Sequence, residues 1–188
     1  MKNFAVKVDG KEYWISRSIA VCTFVFKIKN DELYMLVERR GKGAADENGK
    51  LCAMCGYLDY NETVTEAAVR EIKEETGFIA KEERLQYMKI NSDPSEAHQN
   101  VTIHYVYFAK GNENFDEDKA VGGEKDEVSE IKWFKIGDFD KKGNNKVLHV
   151  NIYDITSEDW AFEHEHRMIE HLSKFFKLTY ENQKEKED

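Results

Sequence analysis

The chain has 188 residues, of which 40% are hydrophobic and 12% aromatic, and its 28 Lys and Arg residues stand against 37 Asp and Glu residues, for a net charge of −9. One folded domain is expected at this length, and the aromatic content excludes a disordered chain. The acidic balance disfavours a surface that reads nucleic-acid phosphates. A small anionic ligand stays compatible with it if a metal cation mediates.

Apolar and β-branched segments predict a series of strands. The first two, at residues 4–8 and 13–15, flank Asp9-Gly10, a dipeptide typical of the tight turn of a β-hairpin. The segment 18–28 lacks polar alternation at its start, which indicates a strand buried on both faces. Further strands are predicted at residues 33–37, 51–54, 85–90, 101–109 and 131–134.

Two helices are predicted. The first covers residues 63–76, because Thr63 and Glu66 form a capping-box pattern and Gly77 suits the position after a helix. The second is predicted as one long helix from about residue 156 to 178, with an apolar side that includes two adjacent phenylalanines. Between them, residues 111–127 form a long acidic loop with three glycines, a kind of loop that is usually functional. We expect residues 1–180 to be one domain, with 1–17 as a hairpin extension and 181–188 as a charged tail.

The remaining sequence features indicate an ordinary cytoplasmic protein. No apolar leader and no run of 18 apolar residues occurs, so neither secretion nor a membrane partner is expected. Cys52 and Cys55 form a single C-x-x-C, whereas a zinc site usually needs a second pair or two spaced histidines. With Cys22 the number of cysteines is odd, and we expect reduced, mostly buried thiols. His164 and His166 lie two residues apart, on different helix faces, which disfavours a zinc protease.

Three carboxylates on the first helix carry the chemistry. Glu71, Glu74 and Glu75 stand at i, i+3 and i+4, within a 100° arc beside an apolar stripe. Their mutual repulsion would be offset by a divalent cation, and oxygen ligands suit Mg²⁺ or Mn²⁺ better than zinc. A solvated acidic helix face explains the same spacing, so the carboxylates alone leave both interpretations open.

The surrounding spacing favours the metal site. The pattern G-x(5)-E-x(7)-R-E-U-x-E-E-x-G-U, where U is a bulky apolar residue, is satisfied at every position by Gly56, Glu62, Arg70, Glu71, Ile72, Glu74, Glu75, Gly77 and Phe78. This is the Nudix box, and the chain resembles a Nudix hydrolase over roughly residues 18–175. The resemblance implies an α/β fold in which a mixed β-sheet is sandwiched between α-helices. One departure is Met54-Cys55, where family members often carry Pro-Gly before the box glycine.

The resemblance also implies an activity and a set of site residues. The family hydrolyses a nucleoside diphosphate linked to another group X, giving a nucleoside monophosphate and phosphorylated X. Mg²⁺ or Mn²⁺ would be bound by Glu71, Glu74, Glu75 and the backbone carbonyl of Cys55. Arg70 would orient the box glutamates together with Glu62.

The general base and the phosphate ligands are less closely determined. Family enzymes use either a box glutamate, for which Glu74 stands here, or a glutamate of a mobile loop. In the loop, Glu127 is our first choice and Glu124 the second, although either could belong to a solvated acidic segment. Arg39 and Arg40 follow a strand and could contact the phosphates or be ordinary surface cations.

The single proline of the chain bears on the substrate. Pro94 lies 16 residues past Phe78, where ADP-ribose hydrolases of the family carry a proline. We therefore expect a small nucleoside diphosphate derivative similar to ADP-ribose, with nucleoside triphosphates and dinucleotide cofactors as alternatives. A non-catalytic nucleotide sensor of the same fold is the alternative function. Nucleic acid and membranes are not expected as partners, and a homodimer is one oligomeric state the resemblance allows.

Overall fold

The computed structural model describes residues 3–96, 98–110, 113, 126–140 and 147–181. The strands are β1 (Phe4–Val8), β2 (Lys11–Ile15), β3 (Ile19–Lys29), β4 (Glu32–Arg40), β5 (Leu51–Cys52), β6 (Met54–Tyr57), β7 (Gln86–Asn91), β8 (Val101–Ala109), β9 (Val128–Phe139), β10 (Val147–Asn151) and β11 (Lys177–Glu181). The helices are α1 (Val64–Thr76), α2 (Ile152–Thr156) and α3 (His164–Leu172), with 3₁₀ turns at Glu82–Arg84 and Ala161–Glu163.

The main sheet is mixed. Its strands lie in the order β11-β10-β9-β4-β3-β8-β7, and the short strands β5 and β6 pair with β4 and β3 respectively. The pairs β3–β8 and β10–β11 are parallel and the other pairs are antiparallel. Strand β6 therefore leads directly from the middle of the sheet into α1, which places the box glycine and the box glutamates next to each other.

Strand β3 explains how the sheet is covered on both faces. Phe24 and Phe26 belong to a cluster with Met168 and Leu172 of α3, whereas Val25 belongs to a cluster with residues of α1. All of these side chains are buried, as expected for alternate residues of a central strand. The predicted α/β class, a mixed sheet between helices, is confirmed.

The N-terminal hairpin forms a separate two-stranded sheet. Asp9 and Gly10 have φ values of +48° and +78°, the positive values that a type I′ turn requires. Its side chains are mostly exposed, including Trp14 at 71%.

The predicted long helix over residues 156–178 is wrong. Phe162 and Glu163 both have a φ of +55°, which breaks the helical path, so that α3 begins only at His164. After α3 the chain turns, and Lys177–Glu181 pairs in parallel with β10. Glu181 thus belongs to a strand and not to the tail, and residues 182–188 lie outside the described residues. No helix among the described residues has the length and apolar character to span a membrane.

Candidate functional site

Helix α1 is fixed at both ends by its own sequence. The Thr63 hydroxyl accepts a hydrogen bond from the Glu66 backbone N–H at 3.2 Å, and the Glu66 carboxylate accepts one from the Thr63 N–H at 2.7 Å. Gly77 closes the helix in a left-handed conformation, with its N–H donating to the Lys73 carbonyl. Because the first residue of α1 is fixed, so is the direction in which each box side chain points.

A group that we name the outer carboxylates, Glu62, Glu71 and Glu74, surrounds one guanidinium. Arg70 donates to Glu62 through two nitrogens at 2.7 and 3.0 Å, to Glu71 at 2.7 Å, to Glu74 at 2.9 Å and to the Tyr57 carbonyl at 3.0 Å. These bonds raise the pKa of Arg70 and lower that of Glu62. The fixed fork of arginine suits such multiple contacts, whereas lysine could not reproduce them.

Gly56 is required by the position of Glu71. A Cβ atom at residue 56 would lie 2.0 Å from the Glu71 Oε1 atom, far inside van der Waals contact. The Glu71 carboxylate thus rests directly against the β6 backbone. Burial raises the pKa of Glu71, and the bond from Arg70 opposes that rise.

A second group, named here the inner carboxylates, consists of Glu38 on β4 and Glu75 on α1. The Glu75 Oε2 atom accepts a hydrogen bond from the Cys55 N–H at 3.0 Å. Glu38 is only 2% exposed, its Oε1 atom is 3.9 Å from an Arg40 nitrogen, and its Oε2 atom has no hydrogen-bond partner among the described residues. Burial raises the pKa of Glu38 to about 7, while Arg40 opposes the rise. Burial, followed by the charge of Glu38, holds the pKa of Glu75 well above its usual range.

Glu38 is a site residue that sequence reasoning missed. It stands two positions after Leu36, a buried residue of β4, and alternate residues of a strand share one face. A buried glutamate is unusual unless it is partnered. Glu32, Tyr34 and Arg40 on the same face are only partly buried, so the alternation along β4 does not identify Glu38 as buried from the sequence.

The donor chemistry around Cys55 and Gly56 fits a hard divalent cation. The carboxylates of Glu71 and Glu75 both reach the backbone of β6, and all the donors are oxygens, as Mg²⁺ and Mn²⁺ prefer. The free Oε2 atom of buried Glu38 adds a donor without a partner. Among the described residues, however, no three Cys, His, Asp or Glu side chains already surround one point as a metal would require. Cation binding therefore needs Glu71 and Glu74 to exchange at least part of their bonding to Arg70.

A cavity of about 530 Å³ adjoins this backbone. Its wall includes Cys55 and Gly56, the aromatic residues Tyr57 and Phe162, and loop residues just after Pro94. Because an apolar wall with a few polar groups is the usual form of a small-molecule site, this cavity is the candidate substrate site.

The two arginines at the end of β4 lie in different places. Arg40 lines the cavity, with its guanidinium bonded to Asp46 at 3.1 Å and lying 5.2 Å from the centre of the Phe162 ring. Arg39 is paired with Glu130 and Glu158, each at 2.9 Å, and does not line the cavity. Only Arg40 is therefore positioned for a ligand in this cavity.

The two candidate loop bases differ in what the structure describes. Glu127 is exposed, and its carbonyl accepts a hydrogen bond from the Gly41 N–H at 2.5 Å. A Cβ at residue 41 would lie 2.1 Å from the Asp126 carbonyl oxygen, so glycine allows this close approach. The charge of Glu127 contributes to the raised pKa of Glu38, so it lies near the inner carboxylates. Glu124 lies outside the described residues.

The thiols and His164 form a cluster next to the site, and Cys22, Cys55 and His164 also line the cavity. The Cys52 and Cys55 sulphurs are 3.6 Å apart, and all three cysteines are free. The Nδ1 atom of His164 accepts a hydrogen bond from the Ala53 N–H at 3.0 Å, and burial lowers the pKa of His164 to about 3. His164 thus supports the β5–β6 turn as a neutral side chain, while His166 is exposed on another face.

Comparisons with known proteins agree with this geometry. The NUDIX domain model matches residues 16–154. The chain is 28% identical over 145 residues to an ADP-ribose pyrophosphatase of Methanocaldococcus jannaschii, a match that covers 74% of this chain and 76% of that protein.

Solved structures share the fold at low sequence identity. A MutT/nudix family protein from Enterococcus faecalis superposes with a TM-score of 0.64 at 18% identity, covering 86% of this chain and 63% of that one. This chain thus corresponds to less than two thirds of that structure. The NUDIX domain of Shewanella oneidensis NrtR, solved with ADP ribose, gives a TM-score of 0.61 at 15% identity and covers 86% of this chain and 90% of that one. With the family model matching most of its length, the chain belongs to the NUDIX domain family.

Proposed function

We propose that this Nudix pyrophosphohydrolase cleaves the diphosphate of a nucleoside diphosphate linked to a group X, with ADP-ribose or a similar nucleoside diphosphate sugar as its substrate. The observation that carries the proposal is the meeting of Glu71 and Glu75 at the Cys55–Gly56 backbone, on the wall of the cavity. Water is added across one phosphorus–oxygen bond, which yields a nucleoside monophosphate and phosphorylated X.

The carboxylates behind the Cys55–Gly56 backbone would repel a diphosphate, so a cation has to be bound before the diphosphate can approach. Glu71, Glu74, Glu75 and the Cys55 carbonyl would hold Mg²⁺ or Mn²⁺, which neutralises the phosphates and acidifies water. Arg70 would hold the carboxylates in position until the cation is bound, and Glu62 would in turn hold Arg70 through its two hydrogen bonds.

The remaining roles follow from placement. Glu127 would accept the proton of the attacking water, because it lies near the inner carboxylates yet stays exposed to solvent. Glu124 and the box residue Glu74 are the alternatives for this base. Arg40 would orient a phosphate, since its charge lies at the cavity wall.

The residues that line the cavity support a sugar-linked nucleotide as the substrate. The cavity has aromatic rings at Tyr57 and Phe162 and polar groups at Asn100, His98 and Arg167. Rings can stack on a base, and amide or guanidinium groups can donate to ribose hydroxyls and phosphates. The M. jannaschii relative named as an ADP-ribose pyrophosphatase and the ADP-ribose complex of the NrtR domain point to the same ligand class.

The test is a panel of ADP-ribose, other nucleoside diphosphate sugars, dinucleotides and nucleoside triphosphates, scored for released nucleoside monophosphate with Mg²⁺, Mn²⁺, Zn²⁺ or EDTA. Turnover of ADP-ribose with Mg²⁺ or Mn²⁺, its loss in EDTA, and a decrease in kcat of about 10²-fold in Glu127→Gln are expected. Glu130→Gln, which changes the same charge at a residue paired with Arg39, is the control. Binding of ADP-ribose without turnover of any compound would favour the nucleotide sensor instead.

A further inference from the structure

Glu38 is a buried acid for which the fold gives no structural purpose. It is 2% exposed, and its Oε2 atom is buried without a hydrogen-bond partner among the described residues. An unpaired buried polar atom costs about 1–3 kcal/mol, and a charged one costs more. A leucine or a threonine at this position of β4 would avoid that cost, so the carboxylate calls for a ligand.

Arg40, the cation that lies near Glu38 in the described part of the chain, already binds other partners. The Arg40 nitrogen is 3.9 Å away, which is beyond hydrogen-bond distance. The same guanidinium donates to the Asp46 carboxylate and the Asp46 carbonyl, and it lies over the Phe162 ring. Arg40 therefore reduces the repulsion around Glu38 but leaves Oε2 free.

The other charged groups that act on Glu38 are acidic. The charges of Glu71 and Glu127 oppose its ionisation, and its own charge opposes that of Glu75. Carboxylates so placed must share a proton or bind a cation, because like charges in a poorly hydrated site cannot all ionise.

Strand register places Glu38 next to the proposed cation site, on the face of the sheet that α1 covers, since Leu36, two positions earlier, packs with Ile72 of α1. Glu38 is the pairing partner of Cys52 on β5, and three residues farther along the chain the Cys55 N–H donates to Glu75. Glu71 and Glu75 approach the same backbone from the helix. The β4 strand and α1 thus present carboxylates to one segment, Cys52–Gly56, from two directions.

We infer that Glu38 is a further ligand of the divalent cation, which it binds through its free Oε2 atom while Glu71 and Glu75 bind from α1. This inference rests on the proposed function, because it adds a residue to the cation site proposed there. It assigns a role to a residue outside the Nudix box. It also explains why an acid is retained in a buried strand position.

The test measures cation binding and not turnover. Mn²⁺ binding is measured by titration calorimetry and by the electron paramagnetic resonance signal of free Mn²⁺, for the wild type, Glu38→Gln, Glu38→Asp and the control Glu158→Gln. The control removes one negative charge at a residue paired with Arg39 and Lys132, away from the cavity wall. Circular dichroism of each metal-free variant checks that the fold is kept.

We expect Glu38→Gln to weaken Mn²⁺ binding at least tenfold or to remove one bound ion, with Glu158→Gln within twofold of the wild type. Glu38→Asp keeps the charge but shortens the reach by one methylene group, so it should also weaken binding at least threefold. Wild-type affinity in Glu38→Asp would show that only the field of the charge matters and would overturn the assignment as a ligand.

Two other outcomes separate this inference from the proposed function. If the wild type binds Mn²⁺ and Glu38→Gln binds it with the same affinity and stoichiometry, the inference is wrong and the proposed function stands. If the wild type binds no Mn²⁺ and turns over no substrate, both are wrong.

Discussion

The outer and inner carboxylates are neighbours in the fold, yet their charges are balanced in opposite ways. The outer group, Glu62, Glu71 and Glu74, shares the Arg70 guanidinium through hydrogen bonds of 2.7–3.0 Å. Within the described residues, the inner group is compensated by Arg40, at 3.9 Å from Glu38, and by one backbone N–H, which donates to Glu75. The negative charges of the outer group are thus compensated by Arg70, whereas those of the inner group are compensated only in part. That difference indicates where a cation from solution stabilises the protein most.

The largest expected effect comes from comparing one variant of each group. Glu75→Gln should lower kcat by about 10²–10³-fold, equivalent to about 3–4 kcal/mol of transition-state stabilisation, because it removes a charge held against the Cys55 backbone. Glu74 is 55% exposed and bonded to Arg70, so Glu74→Gln should cost less, about tenfold. Steady-state kinetics with ADP-ribose and Mg²⁺ give both values. Equal losses in the two variants would mean that the distinction between the groups has no catalytic meaning.

The next effect is the pH dependence of folding stability, which tests the inner group and is measured in EDTA. The pKa of Glu38 is about 7 in the folded protein and about 4.3 in an unfolded chain. Between these values the folded state keeps a proton that the unfolded state has released. The stability that this group contributes is therefore full below about pH 4.3, falls as the pH rises, and is lost above about pH 7, with a total change of about 4 kcal/mol.

Glu38→Gln supplies the reference for that measurement. The buried histidines His104, His164 and His171 have lowered pKa values and act in the opposite direction, since they lose stability as the pH falls below about 6.5. They are present in both proteins, so the difference in urea-unfolding free energy between the wild type and Glu38→Gln cancels them. The unfolding free energy of Glu38→Gln should increase relative to that of the wild type as the pH rises from 5 to 7.5. A difference that does not change with pH would contradict the raised pKa.

How far the sequence predicts this site depends on whether each contact is local. The cap at Thr63, the end of α1 at Gly77 and the bonding of Arg70 involve neighbours along the chain, and the sequence pattern predicts them. The burial of Glu38 depends on packing by distant elements, so no local pattern gives its environment.

The C-terminal region shows the same limitation. Phe175 and Phe176 suit the apolar side of a helix, and with the apolar residues before them they favour the predicted helix through residue 178. In the structure both rings pack against Phe108 of β8, and the chain then pairs with β10. The contacts that decide the conformation of Lys177–Glu181 come from strands far away in sequence, which periodicity within one segment does not register.

A third, smaller effect concerns the backbone between the two groups. Gly56→Ala places a methyl group where the Glu71 Oε1 atom lies, so Glu71 must move away from β6. We expect Mn²⁺ affinity and kcat to fall about 10–30-fold, or about 2 kcal/mol, as measured by calorimetry and kinetics. Glu71→Asp shortens the side chain and so relieves the clash with the new methyl group. The double variant should therefore lose less activity than the product of the two single losses. Strictly additive losses would show that the two residues do not meet.

The smallest effect tests whether the site depends on the stability of α1 itself. The Thr63 hydroxyl accepts the Glu66 N–H, and replacing such a cap by alanine costs about 1 kcal/mol of unfolding free energy. Because the cap lies at the opposite end of α1 from Glu75, Thr63→Ala should leave kcat within twofold of the wild type. Thr63→Ser keeps the hydroxyl and should retain both stability and activity, as read from urea unfolding and steady-state kinetics. Glu62, which immediately precedes the cap, is the one outer carboxylate that loosening of this turn could displace. A tenfold loss of kcat in Thr63→Ala, recovered in Thr63→Ser, would therefore show that the helix start positions Arg70 through Glu62.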